Sequence, residues 1–221
     1  MRYIKELRRI VKRLYNKLPF SYASELKGTI GDCKTLVDFG CGYPSPIQSF
    51  SSRLYTVGID LFEPDIEKSR AEKIHNEYRL LDVIKAGEHF SPNSFECALA
   101  SDLIEHLTKE DGKKLIAVME SVASRRVIIF TPNGFVPQPA HDGNPWQEHK
   151  SGWSADEMEK LGYRVIGMNG WKPLRKEFAK IRFRPVIFWG LISILSQLVV
   201  RSHPKWAFQI LCIKDLEDRV Y

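Results

Sequence analysis

Short apolar runs alternate along this chain with helix-sized amphipathic stretches. Lys34–Phe39, Tyr55–Asp60, Tyr78–Val83, Glu96–Ser101 and Arg126–Thr131 are each a few residues long and mostly apolar, and they predict five strands. Pro64–Lys73 has proline in its first turn, and Thr108–Ser124 has Thr108 as N-cap with Asp111 in the first turn, so both predict helices. Strands separated by helix-sized segments make βαβ units and a mainly parallel sheet. After residue 131 comes a long loop over 132–153 with Pro132, Pro137, Pro139 and Pro145. A Ser154-capped helix to Leu161 follows, then two more strands, Tyr163–Met168 and Ala207–Ile213. The expected whole is a doubly wound α/β sheet of seven strands.

Two segments stand apart from that alternation. Ile4, Leu7, Val11, Leu14 and Leu18 recur at helical spacing before Pro19, among Arg2, Lys5, Arg8, Arg9, Lys12, Arg13 and Lys17. Residues 1–28 are therefore read as a basic amphipathic N-terminal helix, and 29–221 as the α/β domain. Within that domain, 171–205 forms a helical insert before the last strand. The insert holds Val186–Val200, 15 uncharged residues flanked by Arg182, Arg184, Arg201, His203 and Lys205. A membrane-spanning helix needs ~20 residues. Three readings stay open: an interfacial anchor on an anionic membrane, a contact with a second subunit, or a helical cap packed over the substrate site.

Composition narrows the class only a little. A chain of 221 residues that is 43% hydrophobic suits one compact domain. The net charge of +6 favours an anionic partner. Nucleic acid is disfavoured as that partner, because the basic residues concentrate on one amphipathic segment and no nucleic-acid-binding motif is present. Cys33, Cys41, Cys97 and Cys212 form no CxxC pair. No apolar core follows the charged start, so no secretory signal is expected and a cytoplasmic protein, peripheral at the membrane, is.

The sharpest chemical signal is Val37-Asp38-Phe39-Gly40-Cys41-Gly42. Glycines at the carboxyl end of a first strand let the backbone approach a ligand closely. A dinucleotide fingerprint would need a third glycine at position 45, where Ser45 stands between Pro44 and Pro46. A ligand without a pyrophosphate fits better, which disfavours a nicotinamide dehydrogenase. Asp60 ends the second strand, where a carboxylate can accept from both hydroxyls of a ribose.

Taken in order, VDFGCG, GID, LLDV and ASDLIEHL resemble the class I S-adenosylmethionine-dependent methyltransferases over residues 34–131. The resemblance implies a Rossmann-like methyltransferase fold and S-adenosyl-L-methionine as cofactor. It implies Asp38, Gly40 and Gly42 around the methionine, Asp60 and Leu61 at the ribose, and Asp82 with Val83 at the adenine. Ser101 and Asp102 would begin the loop under the methionine. Pro44 departs from the family pattern, where many members have another glycine.

The acceptor side is less specific. Methyl transfer to a hydroxyl needs a base, and histidine suits neutral pH. His149 is the leading candidate and His106 the second. Asn133, Trp146 and Trp153 would shape the acceptor pocket, unless His149 and the tryptophans only pin the loop. Asp102, Glu105 and His106 resemble a cation-holding pattern of some quinone-precursor O-methyltransferases, but no metal is assigned on that pattern. The wording TPNG…GNPWQEHKSGW resembles methyltransferases of glycan and lipid-linked acceptors, so O-methylation of a small, glycan or lipid-linked acceptor is expected. The alternative is a cofactor-binding or membrane-associated protein without turnover.

Overall fold

The computed structural model describes residues 18–140 and 143–216; the basic stretch 1–17, with its amphipathic pattern, lies outside them, as do His141 and Asp142. The strands are β1 (Thr35–Phe39), β2 (Tyr55–Asp60), β3 (Glu77–Leu80), β4 (Phe95–Ser101), β5 (Ala123–Pro132), β6 (Arg164–Trp171), a two-stranded ribbon of β7 (Arg175–Lys176) and β8 (Lys180–Ile181), and β9 (Ala207–Asp215). The helices are α1 (Tyr22–Ile30), α2 (Glu63–Ala71), α3 (Ala86–His89), α4 (Lys109–Val122), α5 (Ala155–Lys160) and α6 (Val186–Val200). Seven strands form one sheet in the order β3-β2-β1-β4-β5-β9-β6. The first five in that order are parallel, and β9 runs antiparallel between β5 and β6.

Period-two alternation divides the strand residues between two cores. Val37, Phe39, Ala98, Ala100, Val127 and Ile129 face α4, whose Leu115, Met119 and Val122 fill that side. Leu36, Cys97, Leu99, Ile128 and Phe130 face α1, through Leu26 and Ile30. Because both faces are covered, the central strands read as continuous apolar runs. The helix starts follow local chemistry. Ser21 accepts from Ser24 N at the start of α1, Thr108 caps α4, and Ser154 with Glu157 forms a capping box on α5.

Several boundaries differ from the sequence expectation. The third strand ends at Leu80, because the Asp82 carboxylate accepts from Ile84 N at 3.1 Å and turns the chain. Strand β5 begins at Ala123, inside the expected helix. Helix α1 runs across residue 28 and sinks Leu26 and Ile30 into the shared core, so the body of the domain begins before residue 29. The insert carries the β7–β8 ribbon as well as its helix.

Helix α6 lies along edge strand β6 and is inverted in polarity. Its Ser193, Gln197 and Val200 are buried, while Ile187, Phe188, Leu191, Leu195, Leu198 and Val199 are exposed. The polar side chains satisfy the strand edge that would otherwise stay open. Gln197 donates from Nε2 to Gly167 O and accepts from Gly170 N, both at 2.9 Å, and Ser196 Oγ accepts from Trp171 N. Only glycine permits this approach at 167, since a Cβ there would lie 1.9 Å from Val200 O. Gln197→Leu leaves one carbonyl and one N–H buried without partners. It is expected to lower the unfolding free energy by about 1–3 kcal/mol in urea denaturation.

Candidate functional site

In the sheet order, the winding reverses between β1 and β4. Doubly wound folds bind ligands at that switch point, beyond the carboxyl ends of the strands. A cleft of about 940 Å³ opens there, lined by Gly40, Gly42, Ser45, Ser101, Asp102, Glu105, His106 and His149 among others.

The glycine turn forms one wall. Gly40 has φ +63°, and a Cβ on it would lie 2.6 Å from the Leu103 side chain, so both backbone and space require glycine. Gly42 has φ +48°, and its N–H donates to Asp60 Oδ2 at 2.9 Å. Asp60 Oδ1 accepts from Phe62 N at 2.8 Å, which fixes the carboxylate at the end of β2. Burial lifts the Asp60 carboxyl above its ordinary range.

Asp38 lies beneath this turn, out of the cleft wall. Its Oδ2 accepts from Ser45 Oγ at 2.7 Å and lies 3.0 Å from His75 Nε2. Asp38 Oδ1 is the one buried side-chain oxygen or nitrogen without a hydrogen-bond partner among the described residues. A buried acceptor of this kind is costly unless something donates to it. A ligand bearing a cationic amine suits the position. His75, wholly buried against Asp38, was not anticipated, because nothing in its local sequence ties it to the glycine turn.

The opposite wall begins where β4 ends. Asp102 sits in the left-handed region at φ +49°, which aspartate adopts more readily than most side chains. Asp102 N donates to Phe130 O at 2.8 Å, and Gln209 Nε2 donates to Asp102 Oδ1 at 2.8 Å. Burial pushes the Asp102 carboxyl up to about 7. Burial, with Asp102 close by, holds Glu105 well above the carboxylate range, against the hydrogen bond that Thr131 Oγ1 donates to it at 2.9 Å. Tyr22, at the start of α1, stacks on Phe130 and donates to Ser101 Oγ at 2.8 Å.

The long loop returns across this wall. Lys150 N and Ser151 N donate to Glu105 O at 2.8 and 3.0 Å. His106 Nδ1 lies 3.1 Å from Glu148 O, and His149 Nδ1 lies 2.7 Å from Val136 O. A carbonyl only accepts, so each ring carries a proton on Nδ1. The two rings meet edge to face, with centroids 4.8 Å apart.

Of the expected cofactor residues, Gly40, Gly42, Ser101 and Asp102 line the cleft. Asp60, Leu61, Asp82 and Val83 lie at the carboxyl ends of β2 and β3, on the same rim of the sheet. The two histidine candidates come together at the cleft. The three expected acceptor residues do not join them. Asn133 spends its Nδ2 on the carbonyls of Pro204, Lys205 and Ala207, and its Oδ1 accepts from Ala155 N. Trp153 is fully buried, with Nε1 donating to Ser151 Oγ, Lys109 over its ring and Gly112 beneath it. Trp146 is half exposed beside Lys150 and outside the cleft lining. Asn133 and Trp153 thus latch the loop to the body. The acceptor end is lined by Val136, Gln138, Gln147, Phe178, Phe208 and Gln209. Gln138 and Gln147 lay inside the aromatic loop and were open to reading there, whereas Phe178 and Gln209 arrive from the distant insert and β9.

No protein-family model and no curated protein matches the sequence. Solved structures do. A SAM-dependent methyltransferase from Archaeoglobus fulgidus is similar at 16% identity and TM-score 0.58, over 94% of this chain and 99% of that one. A geranyl diphosphate C-methyltransferase from Streptomyces coelicolor, solved with S-adenosyl-L-homocysteine, is similar at 16% identity and TM-score 0.57, over 96% and 82%. An S-adenosylmethionine-dependent methyltransferase from Mesorhizobium loti gives 15% identity and TM-score 0.54, over 87% and 95%.

Proposed function

From the premise that this chain has the fold of the S-adenosylmethionine-dependent methyltransferases, we propose that it is such an enzyme and methylates an oxygen of a small, lipid-linked or glycan acceptor. The observation that carries the cofactor reading is the positive-φ glycine turn at the switch point, with Asp60 bound to Gly42 N and a partnerless Asp38 Oδ1 beneath. When bound, the cofactor supplies an electrophilic methyl group on sulfonium. Gly40 and Gly42 let its methionine approach, Asp60 accepts from its ribose, and Asp82 with Val83 borders its adenine. His106 and His149 face the acceptor and activate its hydroxyl. Val136, Phe178 and Phe208 exclude water, which strengthens every polar contact in the cleft.

Isothermal titration of the full chain with S-adenosylhomocysteine, and separately with NAD, tests this reading. One saturable site for S-adenosylhomocysteine is expected, and no heat with NAD. Binding of NAD alone would overturn it.

The α6 face bears on location. No helix among the described residues is long and apolar enough to cross a membrane. Exposed contiguous apolar surface on a soluble body marks an interaction site. Ile187, Phe188, Leu191, Leu195 and Leu198 point outward, Phe183 and Trp206 are exposed nearby, and Lys180, Arg182, Arg184 and Arg201 are cations in and around the insert. Apolar residues bordered by aromatics and cations match the interface of an anionic bilayer. The protein therefore lies on such a membrane without spanning it, which favours a lipid-linked acceptor.

A further inference from the structure

We propose that a second cavity, next to the cleft, binds the phosphate or diphosphate group of an acceptor that is a phosphate ester. Its role toward the acceptor rests on the methyltransferase reading, whereas the site itself is built from this chain's side chains. The cavity holds about 570 Å³ and is lined by the long loop, the insert and the segment leading into β9. Val136 and Phe208 line both this cavity and the cleft. A ligand whose charged end sits in the second cavity therefore continues past these two side chains to the acceptor end of the cleft.

Charge selects the ligand. Lys172, Arg175, Lys176, Arg182 and Lys205 line the cavity, against Glu177 as the one acid in its lining. Lys205 is already paired, with Asp156 at 2.6 Å. No acid pairs with Lys172, Lys176 or Arg182 among the described residues. Lys172 donates to Asn133 O, and Arg175 donates from Nε to Ser193 Oγ at 3.1 Å and from Nη1 to Ala179 O at 2.7 Å. These bonds fix where two of the cationic heads stand. Like charges crowded round one concavity repel, and an anion that enters relieves the repulsion.

Guanidinium forks together with ammonium groups match a phosphoryl group, with its several oxygens and higher charge, better than they match a single carboxylate. The rest of the lining is aromatic. Phe135, Trp171 and Trp206 line the same cavity and are each about half exposed. Exposed rings in a concavity offer flat apolar faces to the uncharged remainder of a ligand. Cations and rings side by side suit a glycosyl or isoprenyl phosphate better than free phosphate. Arg182 and Trp206 also stand among the exposed groups near α6, so the cavity and the apolar helix are neighbours. No bond to phosphorus forms or breaks there. The phosphate is a handle that orients a hydroxyl of the same molecule toward the methyl group.

Calorimetric titration of the full-length protein with inorganic pyrophosphate tests the site, and one saturable equivalent is expected. Lys176 and Arg182 make no side-chain hydrogen bond or ion pair among the described residues. Lys176→Gln with Arg182→Gln should therefore weaken pyrophosphate about tenfold or more at an unchanged melting temperature. Lys85→Gln with Lys113→Gln removes the same charge outside both cavities and should weaken it less than about twofold. No saturable binding, equal weakening by the two double variants, or equal affinity for citrate would overturn the site. Competition against pyrophosphate separates two sources of the phosphate. Glucose 1-phosphate represents a soluble ester, and phosphatidylcholine vesicles carrying an isoprenyl phosphate represent a lipid-linked one. Displacement by either supports the site and names its source, and displacement by neither would overturn it. S-adenosylhomocysteine, titrated in parallel, keeps the two readings apart. Its binding without pyrophosphate binding removes the phosphate site alone. Pyrophosphate binding without it keeps the site and removes the methyltransferase reading.

Discussion

Replacing Asp60 with alanine is expected to weaken S-adenosylhomocysteine binding by about a hundredfold. The carboxylate stands at the end of β2, and each oxygen already accepts one backbone N–H, from Gly42 at 2.9 Å and from Phe62 at 2.8 Å. Each oxygen keeps a further lone pair, enough for the two hydroxyls of a ribose. A hydrogen bond to a charged acceptor is worth about 1.5–3 kcal/mol, and each 1.4 kcal/mol is tenfold in affinity. Losing one such bond costs roughly tenfold to a hundredfold, and losing both costs more. The substitution also frees Gly42 N, so the glycine turn loses its tether. Asp60→Asn keeps one acceptor oxygen and should fall between. Calorimetry on variants with wild-type circular dichroism reads the effect. An unchanged dissociation constant in folded Asp60→Ala would remove Asp60 from the cofactor site.

The parts of the molecule legible in the sequence were those written locally. The strands β1, β2 and β4 are apolar runs bounded by turns, and both faces of the sheet are covered, so their pattern left little choice. The caps at Thr108 and Ser154 appear where their side chains have a backbone N–H to receive. The glycine turn could be recognised because positive φ at Gly40 and Gly42 demands the residue that stands there. The acceptor wall was not legible, because tertiary packing decides it. Asn133 looked like a loop amide available to substrate, yet it is consumed by three carbonyls around Pro204–Ala207, some seventy residues along. Trp153 looked like a pocket aromatic, yet Gly112 leaves the hollow its ring fills. Tyr22 and Gln209 reach the cleft from the first helix and the last strand. The pairing of His106 with His149 depends on the loop folding back onto Glu105 O, a contact across more than forty positions.

The outward face of α6 leads to the other large expected effect: Leu191→Asp with Leu195→Asp should reduce binding to anionic vesicles by a hundredfold or more. The helix turns its polar residues inward to β6 and leaves Leu191 and Leu195 exposed at 57% and 66%. At 15 residues it is about 22 Å long, short of the ~30 Å hydrocarbon core, so on a membrane it would lie along the interface and not across the bilayer. Fully burying a leucine contributes about 1.5–3 kcal/mol. These two are already partly covered by their neighbours, so about 1 kcal/mol each is the expected share. Aspartate removes that share and adds the cost of a charge at the apolar boundary, together with repulsion from anionic lipid. Each nearby Lys or Arg, Arg182 and Arg184 among them, adds about 1 kcal/mol on such a surface and is screened by salt. Co-sedimentation of the full-length protein with anionic and neutral vesicles, at low and high salt, measures both contributions. The variant should keep its melting temperature and its S-adenosylhomocysteine affinity, because neither leucine touches the core or the cleft. A competing occupant of the same face is a second copy of the chain, in which case the wild type sediments as a dimer and ignores vesicles. That outcome, or equal vesicle binding by wild type and variant, would overturn the membrane reading.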